Sequence, residues 1–183
     1  MQKAIETLKN GGLILYPTDT VWGIGCDATN EEAVEKINLL KERDSDKSYI
    51  ILLDNDTKLN RYVKNVPEIA WDLIEFSTKP TTIIYSEGYN LAKNVLAKDK
   101  SIGIRIVKDG FCHDLLQKFG KPIVSTSANL KNAPTPLSFN DIDKRILEGV
   151  DYIVNSQTQN KMGAKTSKII RLEKSGRIEF IRK

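Results

Sequence analysis

The chain has 183 residues, 40% of them hydrophobic and 28% charged, with a formal net charge of +4. That supports one sizeable core, in a single domain over 1–183, and the interspersed charges argue against disorder. The mild basic excess tolerates nucleotide or nucleic-acid partners without demanding them. Two cysteines without a CxxC, and a single histidine, argue against a structural zinc, a multi-histidine metal site and most nucleophile–histidine catalysis.

The first residues, Met1-Gln2-Lys3-Ala4-Ile5-Glu6, lack an apolar signal core, and no run approaches the ~18 residues of a membrane span. A soluble, cytoplasmic protein is expected. A helix over Ala4–Lys9 stops at Gly11-Gly12, and a strand follows at Leu13–Tyr16. Asn30 caps a helix over Glu31–Lys41, with Ala33, Val34, Ile37 and Leu40 on one face. A strand at Tyr49–Leu53, a helix over Glu68–Phe76 and strands at Thr81–Tyr85 and Ser101–Val107 come next. Gly110 precedes and Gly120 stops a helix over Phe111–Phe119. After a strand at Pro122–Val124, Ser138–Asp141 reads as a capping box opening a helix over Ile142–Leu147. Strands at Tyr152–Val154, Ser167–Leu172 and Arg177–Arg182 complete the pattern, the last two as a hairpin. Interleaved strands and helices predict an α/β fold with a twisted mixed sheet flanked by helices.

Four polar clusters fall where these elements stop. Pro17-Thr18-Asp19-Thr20 is either a turn held by its own side-chain hydrogen bonds or a ligand donor beside glycines that admit close backbone approach. Lys41, Arg43 and Lys47 either offset a helix dipole or clamp phosphates, for which arginine offers a planar fork and lysine a point charge. Arg105, between Ile104 and Ile106, points to the face opposite theirs; in a cleft it needs an anionic partner. Ser125-Thr126-Ser127-Ala128-Asn129 carries more donors than a simple turn needs. No Walker A or GxGxxG device is present, so a nucleotide would be held by other means.

Taken in order, Tyr16–Gly25, Lys41-Glu42-Arg43 with Lys47, Arg105, Ser125–Asn129 and Ser167-Lys168-Ile169-Ile170 resemble the threonylcarbamoyl-AMP synthases, the YrdC-like domain family, in its short bacterial form. The resemblance covers residues 3 to 182. It implies a YrdC/RibB-like fold with a concave basic cavity. It also implies synthesis of threonylcarbamoyl-adenylate and pyrophosphate from L-threonine, bicarbonate or CO2 and ATP. Mg2+ would be held by the phosphates. The product would serve threonylcarbamoyladenosine modification of tRNA through a downstream transferase complex, and weak binding of tRNA or double-stranded RNA would fit. By matched position, Thr20, Arg105, Ser125 and Ser167 would hold threonine. Lys41, Arg43, Lys47, Ser101, Ser127, Asn129, Thr135 and Arg182 would surround ATP, with Lys41 and Arg43 acting in catalysis. The chain departs from the family pattern at Glu42, Asp44 and Ser48, and at Leu52, where a histidine is common. The alternative is a noncatalytic RNA-binding module of the same fold.

Overall fold

The computed structural model describes residues 1–43, 48–155 and 166–182. Among these residues nine strands form one mixed sheet: β1 (Ile14–Pro17), β2 (Trp22–Asp27), β3 (Ile50–Leu53), β4 (Thr81–Tyr85), β5 (Ile102–Ile106), β6 (Ile123–Ser127), β7 (Tyr152–Ile153), β8 (Lys168–Leu172) and β9 (Ile178–Arg182). Their spatial order is β7-β1-β2-β6-β3-β5-β4-β8-β9. The pairs β1/β7, β3/β5 and β4/β8 are parallel and the rest antiparallel. The mixed sheet and the C-terminal hairpin are as the sequence predicts. The helices are α1 (Gln2–Lys9), α2 (Glu31–Lys41), α3 (Ile69–Glu75), α4 (Gly110–Phe119) and α5 (Lys144–Gly149). No helix among the described residues is long and apolar enough to cross a membrane.

Alternation along the strands divides the sheet into two unlike faces. Leu15, Ile24, Ile51, Leu53, Ile104 and Val124 bury one face against α2, α3 and α5. Ile14, Tyr16, Leu52 and Ile123 point the other way, under α1 and α4. Further along that second face the side chains change character. Paired positions across β2, β6, β3 and β5 are Gly25, Ser125, Ile50 and Gly103. One row on, Leu52 is level with Arg105, Arg105 with Thr82, and Thr82 with Ile169. Glycines, hydroxyls and one arginine replace the apolar floor, and the site lies there.

Three local expectations need correction. Trp22–Asp27, where the sequence reading places no strand, is strand β2, lying between β1 and β6 with all its residues buried. The Ser125–Asn129 run does not follow β6; its first three residues are in it, paired to Gly25, Ile24 and Gly23. The capping box at Ser138–Asp141 exists, but it closes a single 3-10 turn over Phe139–Asp141. Helix α5 starts at Lys144, not Ile142, with Asp143 as the cap whose side chain accepts from Arg145 N.

Candidate active site

The tight turn between β1 and β2 is built around one hydroxyl. Thr18 Oγ1 accepts from the backbone N–H of Thr20 at 3.1 Å and of Val21 at 3.2 Å, and donates to Val21 O at 2.7 Å. The self-bonded turn is present, and it carries Thr20 to the edge of the cavity. Thr20, 4% exposed, shares a 2.9 Å hydroxyl contact with Thr18.

Arg105 leaves β5 opposite Ile104, as alternation requires, and is buried. Its Nη2 donates to Asp19 Oδ1 at 2.9 Å, the anionic partner that a buried guanidinium needs. Its Nε is buried without a hydrogen-bond partner.

Helix α2 ends with Glu42 in the left-handed region at φ 50, a conformation that favours glycine. That reversal turns Arg43 back toward the sheet. The Arg43 guanidinium lies over the Tyr49 ring, 4.3 Å from its centroid, and Nη2 donates to Ser48 O at 2.8 Å. Lys41 is 5% exposed, and its ammonium donates to the carbonyls of Ser127 and Asn129. Its own carbonyl accepts from Lys131 N. The end of α2 is thus latched to the loop after β6, uniting two motifs more than eighty residues apart in the chain. Burial, with repulsion from Arg43 second, lowers the Lys41 pKa to about 8.

The loop after β6 is organised by Asn129. Its side-chain oxygen accepts from the Ser127 hydroxyl, and its Nδ2 donates to Leu130 O at 3.1 Å and Ala133 O at 2.7 Å. Across the cavity, Ser167 Oγ contacts Thr82 Oγ1 at 2.9 Å. Arg182 Nε donates to Ser167 O at 2.9 Å, and its Nη2 to Ser167 Oγ at 3.2 Å. A bulge between Ile169 and Ile170 sets Ile169 opposite Arg182 and Ile170 opposite Phe180, leaving Ile181 as the extra residue. Regular alternation would put Arg182 on the same face as Phe180. The bulge turns it onto the cavity face. Desolvation, with repulsion from Arg105 second, lowers the Arg182 pKa.

These side chains line one cavity of about 200 Å3, with Arg43, Arg105 and Arg182 around it and Thr20, Ser125, Ser127, Thr135 and Ser167 between them. A second hollow of about 200 Å3 adjoins it, sharing Arg43 and Ser127 and adding Lys41 and Asn129. Ser101 stands apart from both linings: it is 4% exposed and its N–H donates to Asp99 at 2.9 Å. Lys47, and most of the segment 155–166, lie outside the described residues. Leu52 is wholly buried under α4 and reaches neither hollow. Sequence reasoning missed Asp19 as the partner of Arg105 and Lys41 as a loop anchor. The first lay inside a quoted motif; the second is carried by backbone carbonyls, which leave no trace in residue identity.

The family model for Sua5, YciO and YrdC, described as telomere recombination, matches residues 6–183. The chain belongs to the Sua5/YciO/YrdC family. Its similarity to other family members is spread over its length. The threonylcarbamoyl-AMP synthase of Pseudoalteromonas translucida (strain TAC 125) is 34% identical over 178 residues, covering 92% of this chain and 95% of that one. Escherichia coli YciO has a similar structure, with a TM-score of 0.84 at 26% identity over 99% of this chain and 87% of its own. Sua5 from P. abyssi complexed with L-threonine superposes with a TM-score of 0.83 at 25% identity. That match covers 93% of this chain but 50% of the Sua5 chain, so this protein spans about half of that relative.

Proposed function

We propose that the protein is an L-threonylcarbamoyladenylate synthase, a nucleotidyltransferase that joins L-threonine, CO2 or bicarbonate and ATP, releasing pyrophosphate. The observation that carries this reading is the meeting of Arg43, Arg105 and Arg182 around a single hollow whose other polar groups are mostly hydroxyls. Guanidinium groups gathered around one hollow repel one another, and Asp19 pairs with Arg105. Such an arrangement is suited to an anion carrying several charges.

Arg105 would take the amino acid's carboxylate through its unpartnered Nε, with Thr20, Ser125 and Ser167 beside it. Arg43, Lys41, Ser127, Asn129 and Arg182 would face the phosphates, and Thr135 the rim. Two of the three Lys41 protons go to carbonyls, so at most one is left for a phosphate oxygen. The committed pair holds the ammonium in place, which lowers the reorganisation needed when charge develops. Lys47 and Ser101 belong to this proposed set by resemblance only.

Threonine's amine forms an N–C bond to CO2 and loses a proton, giving a carbamate. A carbamate oxygen then bonds to the α-phosphorus while the bridging P–O bond to the β-phosphate breaks, and pyrophosphate leaves. The carbamate is short-lived in water, so the site contributes by holding the reactants together. No side-chain nucleophile is needed. Among the described residues no group of three His, Cys, Asp or Glu side chains could hold a metal ion, and Asp19 is engaged by Arg105. These residues do not form a dedicated Mg2+ site; the ion would arrive on the phosphate oxygens. The adenylate would feed tRNA threonylcarbamoyladenosine modification.

The test is pyrophosphate release by purified protein with each substrate omitted in turn. Release that requires all three supports the reading. Release from ATP alone, or RNA binding indifferent to ATP with no release, would overturn it.

A further inference from the structure

Nε of Arg105 and the hydroxyl of Tyr16, both on the cavity side of the sheet, are buried without a hydrogen-bond partner. An unpaired buried hydroxyl costs about 1–3 kcal/mol, and native structures keep few of them without a use. Phenylalanine at position 16 would fill the same space without that cost. Arg105 Nε has a use under the proposed function; the Tyr16 hydroxyl has none yet.

Its position is a built one. Tyr16 and Gly23 are paired across β1 and β2, and the Tyr16 ring lies over Gly25, where a Cβ would come within 2.7 Å of Cε1. The missing side chain lets the ring cross β2 toward Ser125 of β6, the residue paired with Gly25. The Tyr16 hydroxyl has no partner in hydrogen-bond geometry, yet the Ser125 hydroxyl is near enough to act against the rise in its pKa. Ser125, unlike Tyr16, lines the cavity. Burial raises the Tyr16 pKa, so its hydroxyl keeps its proton and remains a donor.

We propose that Tyr16 is a positioning residue for the amino-acid substrate, donating to Ser125 Oγ when Ser125 turns to donate to a carboxylate oxygen of that substrate. This rests on the function proposed above. The unliganded protein holds the Tyr16 donor unpaired, and the bound amino acid completes the chain from Tyr16 through Ser125 to the carboxylate. Each bond in such a chain strengthens the next.

The experiment compares wild type, Tyr16→Phe, Ser125→Ala and the double variant by calorimetric titration with L-threonine, steady-state kinetics and thermal melting. Tyr16→Phe should weaken threonine binding and raise its KM about 5- to 10-fold, the scale of one net hydrogen bond. KM for ATP should stay put and Tm should not fall, because the substitution deletes an unpaired group and keeps the packing. The double variant should bind threonine no more weakly than Ser125→Ala. Unchanged threonine affinity in Tyr16→Phe, or losses that add in the double variant, would overturn the inference while leaving the function standing. A wild-type protein that fails to bind threonine would overturn both.

Discussion

Lys41 offers a quantitative test through pH. Its ammonium, buried and facing Arg43, has a pKa of about 8 instead of the usual 10.5. The sign follows from the depressed value. Folding disfavours the charged form, so that penalty is complete below pH 8 and fades as pH rises toward 10.5. A triphosphate beside the ammonium acts oppositely and restores the usual value. At pH 7 about nine molecules in ten carry the charge, and at pH 9 about one in ten, so ATP binding at pH 9 should take up close to one proton. Affinity should fall about tenfold between those two values. Phosphate's own ionisation, at pH ~6, is about nine-tenths complete at pH 7 and moves affinity in the opposite direction, so it does not produce the fall. Calorimetric titration with ATP at pH 7, 8 and 9, in buffers of two different ionisation enthalpies, reads both quantities. Lys41→Arg, which cannot lose its proton, should bind with a flat profile. Wild-type affinity constant from pH 7 to 9, without proton uptake, would refute the placement of Lys41 against phosphate.

Arg105→Gln removes a charge and the donors expected to meet the carboxylate. At about 1.5–3 kcal/mol for each charge-assisted bond, threonine affinity should drop by ~10² or more with ATP binding little changed; equal losses for both ligands would contradict the split. Glu42→Gly relieves a left-handed backbone at φ 50 and should raise stability by about 0.5–1 kcal/mol in chemical denaturation. Gly25→Ala forces a Cβ to within 2.7 Å of Tyr16 and 2.9 Å of both Ile123 and a β6 carbonyl, so a loss of about 2 kcal/mol or more is expected in the same assay. Burial raises the Cys112 pKa to about 12, so its thiol should resist iodoacetamide at pH 8 until the fold is lost, as read by mass spectrometry.

The composition of the site was legible in the sequence, and its layout only in part. Alternation alone put Arg105 opposite Ile104 and Ile106, and the interleaving of strands with helices pointed to the α/β class. Strand β2 escaped because two glycines and a buried aspartate mask its pattern, although its neighbours bury it on both sides. Arg182 faces the cavity through a bulge that no periodicity announces. The role of Lys41 depends on carbonyls of residues 127 and 129, so it emerges only when the β6 loop and the end of α2 are seen together.

Carbon tracing tests the central claim most directly. Incubation of the purified protein with L-threonine, ATP and 13C-bicarbonate, followed by mass spectrometry of the adenylate, should give threonylcarbamoyl-AMP one mass unit heavier than the unlabelled product. An adenylate of threonine lacking the added carbon, or no adenylate at all, would contradict a cavity that brings all three reactants together.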